Sequence, residues 1–202
     1  GVPAVAFSPD GKMLATGSWD TTIKVYDVTN DLSLMHTLRG HTDWVMSLSF
    51  SPDSSRLCSG SKDKSIRLFD PSEGNVTTCV ENAHTRAIMT LSHSPNSALV
   101  VSGSQDATIK IWEAKSLQLL HIYPEQAARP CFHPLGPFLL TARGDYSIRQ
   151  MEVALLKPFY NCREMRMLIL GAFTRFEKAV HKAKGEEWEK VAATKATFPK
   201  TA

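Results

Sequence analysis

Short apolar, β-branched runs alternate along this chain with turn-forming polar residues. The stretch 84–113 shows the pattern most completely. Its three apolar runs cover residues 87–93, 98–102 and 108–112, and they are separated by Ser-Pro-Asn-Ser (94–97) and Ser-Gln-Asp-Ala (104–107). A fourth run follows at 117–122. Runs of this length bounded by turn residues predict an antiparallel meander of four strands.

The pattern recurs at a fixed offset of 43 residues. His41 and His84 lie 43 apart, and so do successive members of the series Asp20, Asp63, Asp106 and the series Asp27, Asp70, Glu113. A fourth copy, at Asp145, follows Asp106 by 39 residues. A period of this size, built from four short strands, predicts the blades of a β-propeller.

The repeated residues resemble those of the WD-repeat β-propeller family. The resemblance covers about residues 1–152 and rests on these motifs: Gly40-His41, Ser51-Pro52-Asp53, the Ser-Gly-Ser-x-Asp runs 59–63 and 102–106, and the strand endings 23–27, 66–70 and 109–113. It implies an all-β fold with four blades, at about 1–40, 41–83, 84–122 and 123–152. Blade four departs from the pattern and is expected to be less regular.

Four blades are fewer than the resemblance implies for a closed propeller, about seven blades of 40–45 residues each. We therefore expect a partial or open propeller segment and a chain that is part of a longer protein. Open sheets leave strand edges exposed, which favours aggregation unless something covers them. Further blades of the same protein, a partner, or the C-terminal segment could each cover the open ends.

The strand period ends at Glu152, and residues 153–202 form a predicted helical, basic extension. Asn161 and Glu164 give a helix-start signal, and an apolar stripe at helical spacing runs through the segment 162–184. This stripe is our candidate partner-binding helix face: Met165, Leu168, Ile169, Phe173 and Phe176. It could pack on its own propeller, dock on a partner protein, or contact lipid or nucleic acid.

The balance of basic and acidic side chains changes at the same boundary. Residues 1–152 hold 13 basic and 15 acidic side chains, whereas residues 153–202 hold 10 basic and 5 acidic ones. The basic surplus makes nucleic acid a possible partner of residues 153–202. Glu186, Glu187 and Glu189 interrupt the basic run, however, and few aromatic residues are interleaved with it.

Cysteine spacing indicates the redox compartment of the protein, and hydropathy indicates whether a segment could span a membrane. The four cysteines (Cys58, Cys79, Cys131 and Cys162) lack a Cys-x-x-Cys pair and lie in or beside apolar runs, so we expect buried, reduced thiols and no metal site. Reduced cysteines favour an intracellular protein, cytoplasmic or nuclear, with an organelle as the remaining alternative. The longest uncharged apolar run of the C-terminal segment, 167–173, is far shorter than a membrane-spanning helix.

Ser102, His84 and Asp106 include the residue types of a hydrolase triad, but we do not expect catalysis from them. The resemblance implies that His, Ser, Asp and the strand-ending Trp form a hydrogen-bonded line that braces each blade. Such a structural network would comprise His84, Ser102, Asp106 and Trp112 in blade three, and His41, Ser59 and Asp63 in blade two. A triad in each of two adjacent blades would be odd for an enzyme. We predict no catalytic residue, cofactor, metal or small-molecule substrate.

The surface then becomes the candidate for function. The resemblance implies that partners dock on the loops before the inner strands and on the residue before each repeat aspartate. Those positions hold Trp19, Trp44, Lys62, Arg86 and Gln105. Trp and Arg are frequent binding anchors, although Trp44 could instead pack within its own blade.

These features predict a non-enzymatic protein–protein interaction scaffold, a WD-repeat subunit of a larger multiprotein complex. The alternative is an RNA-associated or ribonucleoprotein assembly factor that uses the basic segment 153–202, whose lysines include Lys178, Lys182, Lys184, Lys190, Lys195 and Lys200.

Overall fold

The computed structural model describes residues 1–124, 129–133, 138–142 and 148–153, which form fifteen β-strands in four antiparallel sheets. No helix occurs in this part of the chain. The predicted all-β blades are therefore confirmed. The predicted helix at 162–184 and its apolar residues lie outside the described residues.

The first two blades have four strands each, paired in sequence order. Blade one consists of β1 (Ala4–Phe7), β2 (Met13–Gly17), β3 (Ile23–Asp27) and β4 (Ser33–Leu38). Blade two consists of β5 (Val45–Phe50), β6 (Leu57–Ser61), β7 (Ile66–Asp70) and β8 (Asn75–Val80). Each turn after an inner strand is closed by a serine hydroxyl bonded to the side chain two residues later, such as Ser8 to Asp10 (2.5 Å).

Blade three repeats this order, and blade four has three described strands. Blade three consists of β9 (Ile88–His93), β10 (Leu99–Ser104), β11 (Thr108–Glu113) and β12 (Leu119–Pro124). Blade four consists of β13 (Arg129–Phe132), β14 (Phe138–Ala142) and β15 (Ile148–Glu152). The observed strands of blade three agree with the predicted runs to within two residues at each end.

The repeat extends to an irregularity in strand pairing. The register between the third and outer strands shifts at Val25/Tyr26, at Leu68/Phe69 and at Ile111/Trp112. These positions are 43 residues apart. A bulge increases the local twist of a sheet, so the outer strands of the three blades share this irregularity at the same point of the repeat.

The apolar cores lie between blades. Alternate residues of a strand face opposite sides of its sheet; on one side of blade one, Ala4, Ala15 and Val25 join a buried cluster with Leu48 and Phe50 of blade two. Comparable clusters join blade two to blade three and blade three to blade four. Blades two and three thus each have one face packed on the blade before and the other face packed on the blade after.

The expectation of buried cysteines is wrong for two of the three described thiols. Cys58 is buried on β6, whereas Cys79 and Cys131 are exposed; all three are free thiols. Cys79 lies on an outer strand, and Cys131 lies on the face of β13 opposite the buried Phe132. An apolar run therefore does not decide burial: β6 is buried on both faces, whereas the outer strand β8 and one face of β13 are exposed.

Within the described ranges, no helix has the length and apolar character that crossing a bilayer requires.

Candidate functional site

A line of buried polar side chains crosses blade three. His84 precedes β9, Ser102 lies on β10, Asp106 lies in the turn after β10, and Trp112 is near the end of β11. His84 Nδ1 lies 2.9 Å from Asp106 Oδ2, and His84 Nε2 lies 2.7 Å from Ser102 Oγ. Trp112 Nε1 donates to Ser102 Oγ at 2.8 Å. The line therefore connects the loop, two strands and a turn.

The chemistry of each group fixes the direction of these hydrogen bonds. An ionised carboxylate only accepts, so His84 Nδ1–H donates to Asp106. In a neutral imidazole Nε2 then accepts the hydroxyl proton of Ser102, whose oxygen accepts the indole N–H. Burial lowers the pKa of His84 more than Asp106 raises it, which favours the neutral ring.

Asp106 is held in its ionised form. Burial alone would raise the pKa of its carboxyl group, but hydrogen bonds from the Thr108 hydroxyl, the Thr85 amide and His84 outweigh this effect. Together they lower the pKa of Asp106 to about 2. The charge therefore anchors several donors at one turn.

Blade two has the same line with one member changed. His41 Nδ1 lies 2.8 Å from Asp63 Oδ2, and His41 Nε2 lies 2.7 Å from Ser59 Oγ. Burial opposes the ionisation of Asp63, yet hydrogen bonds from His41 and Ser65 lower its pKa. Phe69 stands at the position of Trp112 and has no N–H to donate.

Sequence reasoning missed one further member of each line, a hydroxyl two residues after the aspartate. Thr108 Oγ1 donates to Asp106 Oδ1 at 2.6 Å, and Ser65 Oγ donates to Asp63 Oδ1 at 2.7 Å. Blade one has the same pair, Thr22 and Asp20, at 2.6 Å. These hydroxyls recur every 43 residues, so the repeat itself could have revealed them.

The geometry of these lines does not suit nucleophilic catalysis. Ser102 and Ser59 are both 0% exposed, so no substrate carbonyl can reach either hydroxyl. In blade three the serine oxygen already accepts the indole N–H. The described residues also contain no group of three His, Cys, Asp or Glu side chains placed to hold a metal ion.

Three of the five predicted surface residues form one exposed cluster, which we call the Trp19–Trp44–Lys62 patch. The two indole rings stack with centroids 4.8 Å apart and an interplanar angle of 21°. Lys62 Nζ lies 4.3 Å from the centre of the Trp44 ring and 3.9 Å from Asp43 Oδ2. Trp19 remains 48% exposed and Trp44 38% exposed.

Repeated backbone hydrogen bonds place these side chains on one edge of the blades. The amide of Trp19 donates to the carbonyl of Gly1 at 2.9 Å, and the amide of Lys62 donates to the carbonyl of Trp44 at 2.9 Å. The amide of Gln105 donates in the same way to Ala87, at 3.0 Å. The loop before each inner strand is thereby joined to the turn before the third strand.

Arg86 and Gln105 are exposed on the corresponding loops of blade three. They lie outside the stacked rings of the patch and extend the same edge by one blade. Trp44 contacts Trp19 of blade one, so it does not pack only within its own blade, which was the alternative reading of its position.

Comparison with known sequences agrees with this architecture. The sequence model of the WD domain, G-beta repeat, matches residues 1–27, 32–70 and 75–113, which together make up more than half of the chain. The chain belongs to the WD40 repeat family. Domains of this family are generally non-enzymatic and interact with other proteins.

Two curated relatives match over stretches of 42 and 44 residues. A protein of Thermomonospora curvata named "Probable serine/threonine-protein kinase PkwA" is 62% identical over 42 residues, which are 21% of this chain and 6% of that protein. The human "WD repeat and SOCS box-containing protein 1" is 43% identical over 44 residues, 21% of this chain and 10% of that protein. The matches thus span about a tenth or less of the relatives' length.

Proposed function

We propose that this WD40 chain is a non-enzymatic protein–protein interaction scaffold and a subunit of a larger multiprotein complex, acting in a reducing intracellular compartment, cytoplasmic or nuclear. One observation carries the proposal: the Trp19–Trp44–Lys62 patch presents two stacked indoles and an ammonium group at the loop edge of rigid blades. Aromatic rings held in place by packing bind a partner with little loss of side-chain entropy.

The contacts within the patch support its use as a docking point. Indole rings that stay 48% and 38% exposed leave apolar area for a partner to cover. Trp44 is held by both Trp19 and Lys62, so it is already positioned before a partner arrives. Central aromatic residues of this kind often carry about 2 kcal/mol or more of binding energy.

Site-specific cross-linking would test the proposal. A photoreactive phenylalanine derivative at position 19 retains an aromatic ring beside Trp44, and the same group at position 120 serves as a control, because Leu120 is exposed on the outer strand β12. We expect discrete protein adducts from position 19 and not from position 120. Trp44→Ala should weaken binding of the captured partner roughly 30-fold. Identical adducts from both positions, or none from position 19, would contradict the proposal.

The second candidate is RNA association through residues 153–202, supported by the 10 basic against 5 acidic side chains of that segment. Its binding should weaken steeply as salt rises, because phosphate contacts release counterions. RNA binding measured with and without residues 153–202, from 50 to 200 mM salt, distinguishes the two functions. Absence of RNA binding at low salt would exclude this candidate.

A further inference from the structure

Exposed positive charge accompanies Trp44 on the loop edge of blades two and three. The loops and turns of this edge carry four exposed basic side chains: Arg39, Lys62, Lys64 and Arg86. The carbonyl of Lys64 accepts the amide of His84 at 3.3 Å, so the blade-two turn adjoins the blade-three loop that carries Arg86. Trp44 and these cations therefore share one surface.

The acidic side chains of the same edge are less accessible than the basic ones. The side chains of Asp63 and Asp106 are only 6% exposed, and each is bonded to a buried histidine. Glu81 is 65% exposed, but its carboxylate lies 2.7 Å from the guanidinium group of Arg67. A partner that approaches this edge therefore meets cations before it meets unpaired carboxylates.

Lys62 is the cation placed to act together with Trp44. Its Nζ lies 4.3 Å from the centre of the Trp44 ring, and its side chain is 48% exposed. Its ion-pair contact, with Asp43 Oδ2, is 3.9 Å long, and the Asp43 side chain is itself 38% exposed. A long contact between exposed groups contributes little free energy. A second carboxylate can therefore pair with Lys62 without breaking a strong interaction.

We propose that the Trp19–Trp44–Lys62 patch binds an acidic peptide segment of a partner protein. The segment places an Asp or Glu carboxylate on Lys62 and an apolar side chain beside Trp44. Lys64 and Arg86 extend the positive charge toward blade three, which favours further acidic residues along the segment. Charge complementarity of this kind selects the partner and speeds its association. This inference rests on the proposed scaffold function and specifies the chemistry of the partner.

A peptide fits this edge better than a nucleic acid does. A nucleic-acid strand carries a phosphate charge at every nucleotide. A peptide can instead leave uncharged residues opposite Asp43 and Glu81, whose side chains are 38% and 65% exposed. The mixture of cations and carboxylates therefore favours a partner whose negative charges are spaced by its sequence.

Selection from random peptides of about 12 residues, which reach about 40 Å when extended, tests the proposal. Phage that display the peptides are selected on the immobilised 202-residue chain and counter-selected on its Trp44→Ala variant. We expect the retained peptides to be enriched in Asp and Glu next to a large apolar residue. Selection on a Lys62→Glu variant should shift this enrichment toward Lys and Arg.

Two substitutions with opposite expected effects test the role of Lys62 with a retained peptide. Lys62→Gln should weaken binding about 2- to 5-fold, the range of an exposed ion pair. Asp43→Asn should strengthen binding about 2-fold, because it removes a competing charge and keeps the oxygen that accepts the amide of Trp44 at 2.8 Å. Fluorescence anisotropy measures both dissociation constants. Lys115→Gln is the matched control: Lys115 is exposed in the turn after β11, on the opposite edge, and its substitution should leave the affinity unchanged.

Four results would overturn the proposal. Retained peptides that need Trp44 but are basic or uncharged would exclude an acidic partner and leave the docking role of the patch intact. An affinity unchanged by both Lys62→Gln and Asp43→Asn would exclude pairing with Lys62. If no peptide depends on Trp44, this inference and the docking role of the patch are both wrong. Single-stranded oligouridine that binds more tightly than the peptides, and loses this binding in Trp44→Ala, would assign the patch to nucleic acid.

Discussion

Trp112 and Phe69 occupy the same register position in neighbouring blades, yet only Trp112 has a hydrogen-bond donor. The buried polar lines are otherwise alike: each connects a histidine, a serine and an ionised aspartate at 2.7–2.9 Å. Leaving a buried polar group without its partner costs more free energy than a typical hydrogen bond contributes to stability. At the scale of single residues, the stability of each blade should depend on how completely its line is satisfied.

Removing a member of the blade-three line should therefore destabilise the protein. We expect His84→Ala and Asp106→Ala each to lower the free energy of unfolding by about 1–3 kcal/mol, because each leaves a buried partner unsatisfied. Denaturant unfolding monitored by circular dichroism measures the change. Trp112→Phe is the graded control: it reproduces the Phe69 arrangement of blade two and should cost less. Melting temperatures unchanged by both alanine variants would reject the bracing role.

His93 should make stability depend on pH. It is the last residue of β9 and is 8% exposed. Its Nδ1 lies 3.1 Å from Ser49 Oγ on β5, and its Nε2 has no hydrogen-bond partner within the described residues. Burial lowers the pKa of His93 to about 4; Asp53, which raises it, and Arg56, which lowers it, are the charged groups that act on it.

The native ring thus stays neutral while the unfolded chain, with an ordinary histidine pKa near 6.5, takes up a proton. The free energy of unfolding should fall as pH drops from about 6.5 to 4, by roughly 3 kcal/mol at most. Urea unfolding at several pH values measures the slope of the free energy of unfolding against pH. His93→Phe, which copies Phe50 of blade two, should flatten it. An unchanged slope in that variant would assign the pH dependence to other groups.

At the scale of elements, tight turns repeat a conformation that most side chains avoid. Thr21, Lys64 and Ala107 follow the three repeat aspartates, and their φ angles are +72°, +73° and +62°. The left-handed region costs an L-residue about 1–2 kcal/mol. The hydroxyl and amide bonds to each aspartate, such as those from Thr22 to Asp20, hold the turn in place despite this cost.

A pair of glycine substitutions tests the cost of this conformation. Gly11 has φ +74°, and a Cβ added there would contact nothing within 4 Å, so Gly11→Ala isolates the conformational term and should cost about 1 kcal/mol. Thr21→Gly should instead stabilise the protein by roughly 0.5–1 kcal/mol, because relief of strain exceeds the added chain entropy. Differential unfolding measurements would show opposite signs. If both substitutions changed the free energy of unfolding in the same direction, the predicted cost of a positive φ would be wrong.

At the scale of the whole molecule, stability comes from the contacts between blades. The sheets approach so closely that a Cβ added to Gly60 of blade two would lie 2.6 Å from Ile88 Cγ2 and 3.1 Å from Leu91 Cδ1 of blade three. Serine hydroxyls add polar links at the same boundary: Ser47 accepts from the amide of Leu91 at 2.9 Å, and Ser49 accepts from the amide of His93 at 3.1 Å.

Gly60→Ala should force blades two and three apart. We expect a loss of about 1–3 kcal/mol in the free energy of unfolding, as for other overpacked cores. Thermal and denaturant unfolding measure the loss. Val76→Ala is a suitable control, since Val76 is 42% exposed on an outer strand, and it should change stability by less than about 0.5 kcal/mol. A Gly60→Ala protein as stable as the parent would show that the blade spacing can adjust.

The sequence alone determined the strands, their order and the register of the repeat. Period-two alternation and turn residues are local properties, and a 43-residue repeat shows them several times over. The resemblance to the WD-repeat family implied that His84, Ser102, Asp106 and Trp112 form one group before any distance was known. Thr22, Ser65 and Thr108 were equally accessible to this reasoning.

Only the tertiary structure decided which side of each strand is covered. Cys58 is buried and Cys131 is exposed, although each lies in an apolar run, because burial depends on a neighbouring blade that local sequence does not specify. The stacking of Trp19 on Trp44 likewise joins two blades. Contacts between blades arise from the packing of whole sheets, and this is why the repeat predicts the blades better than it predicts their surfaces.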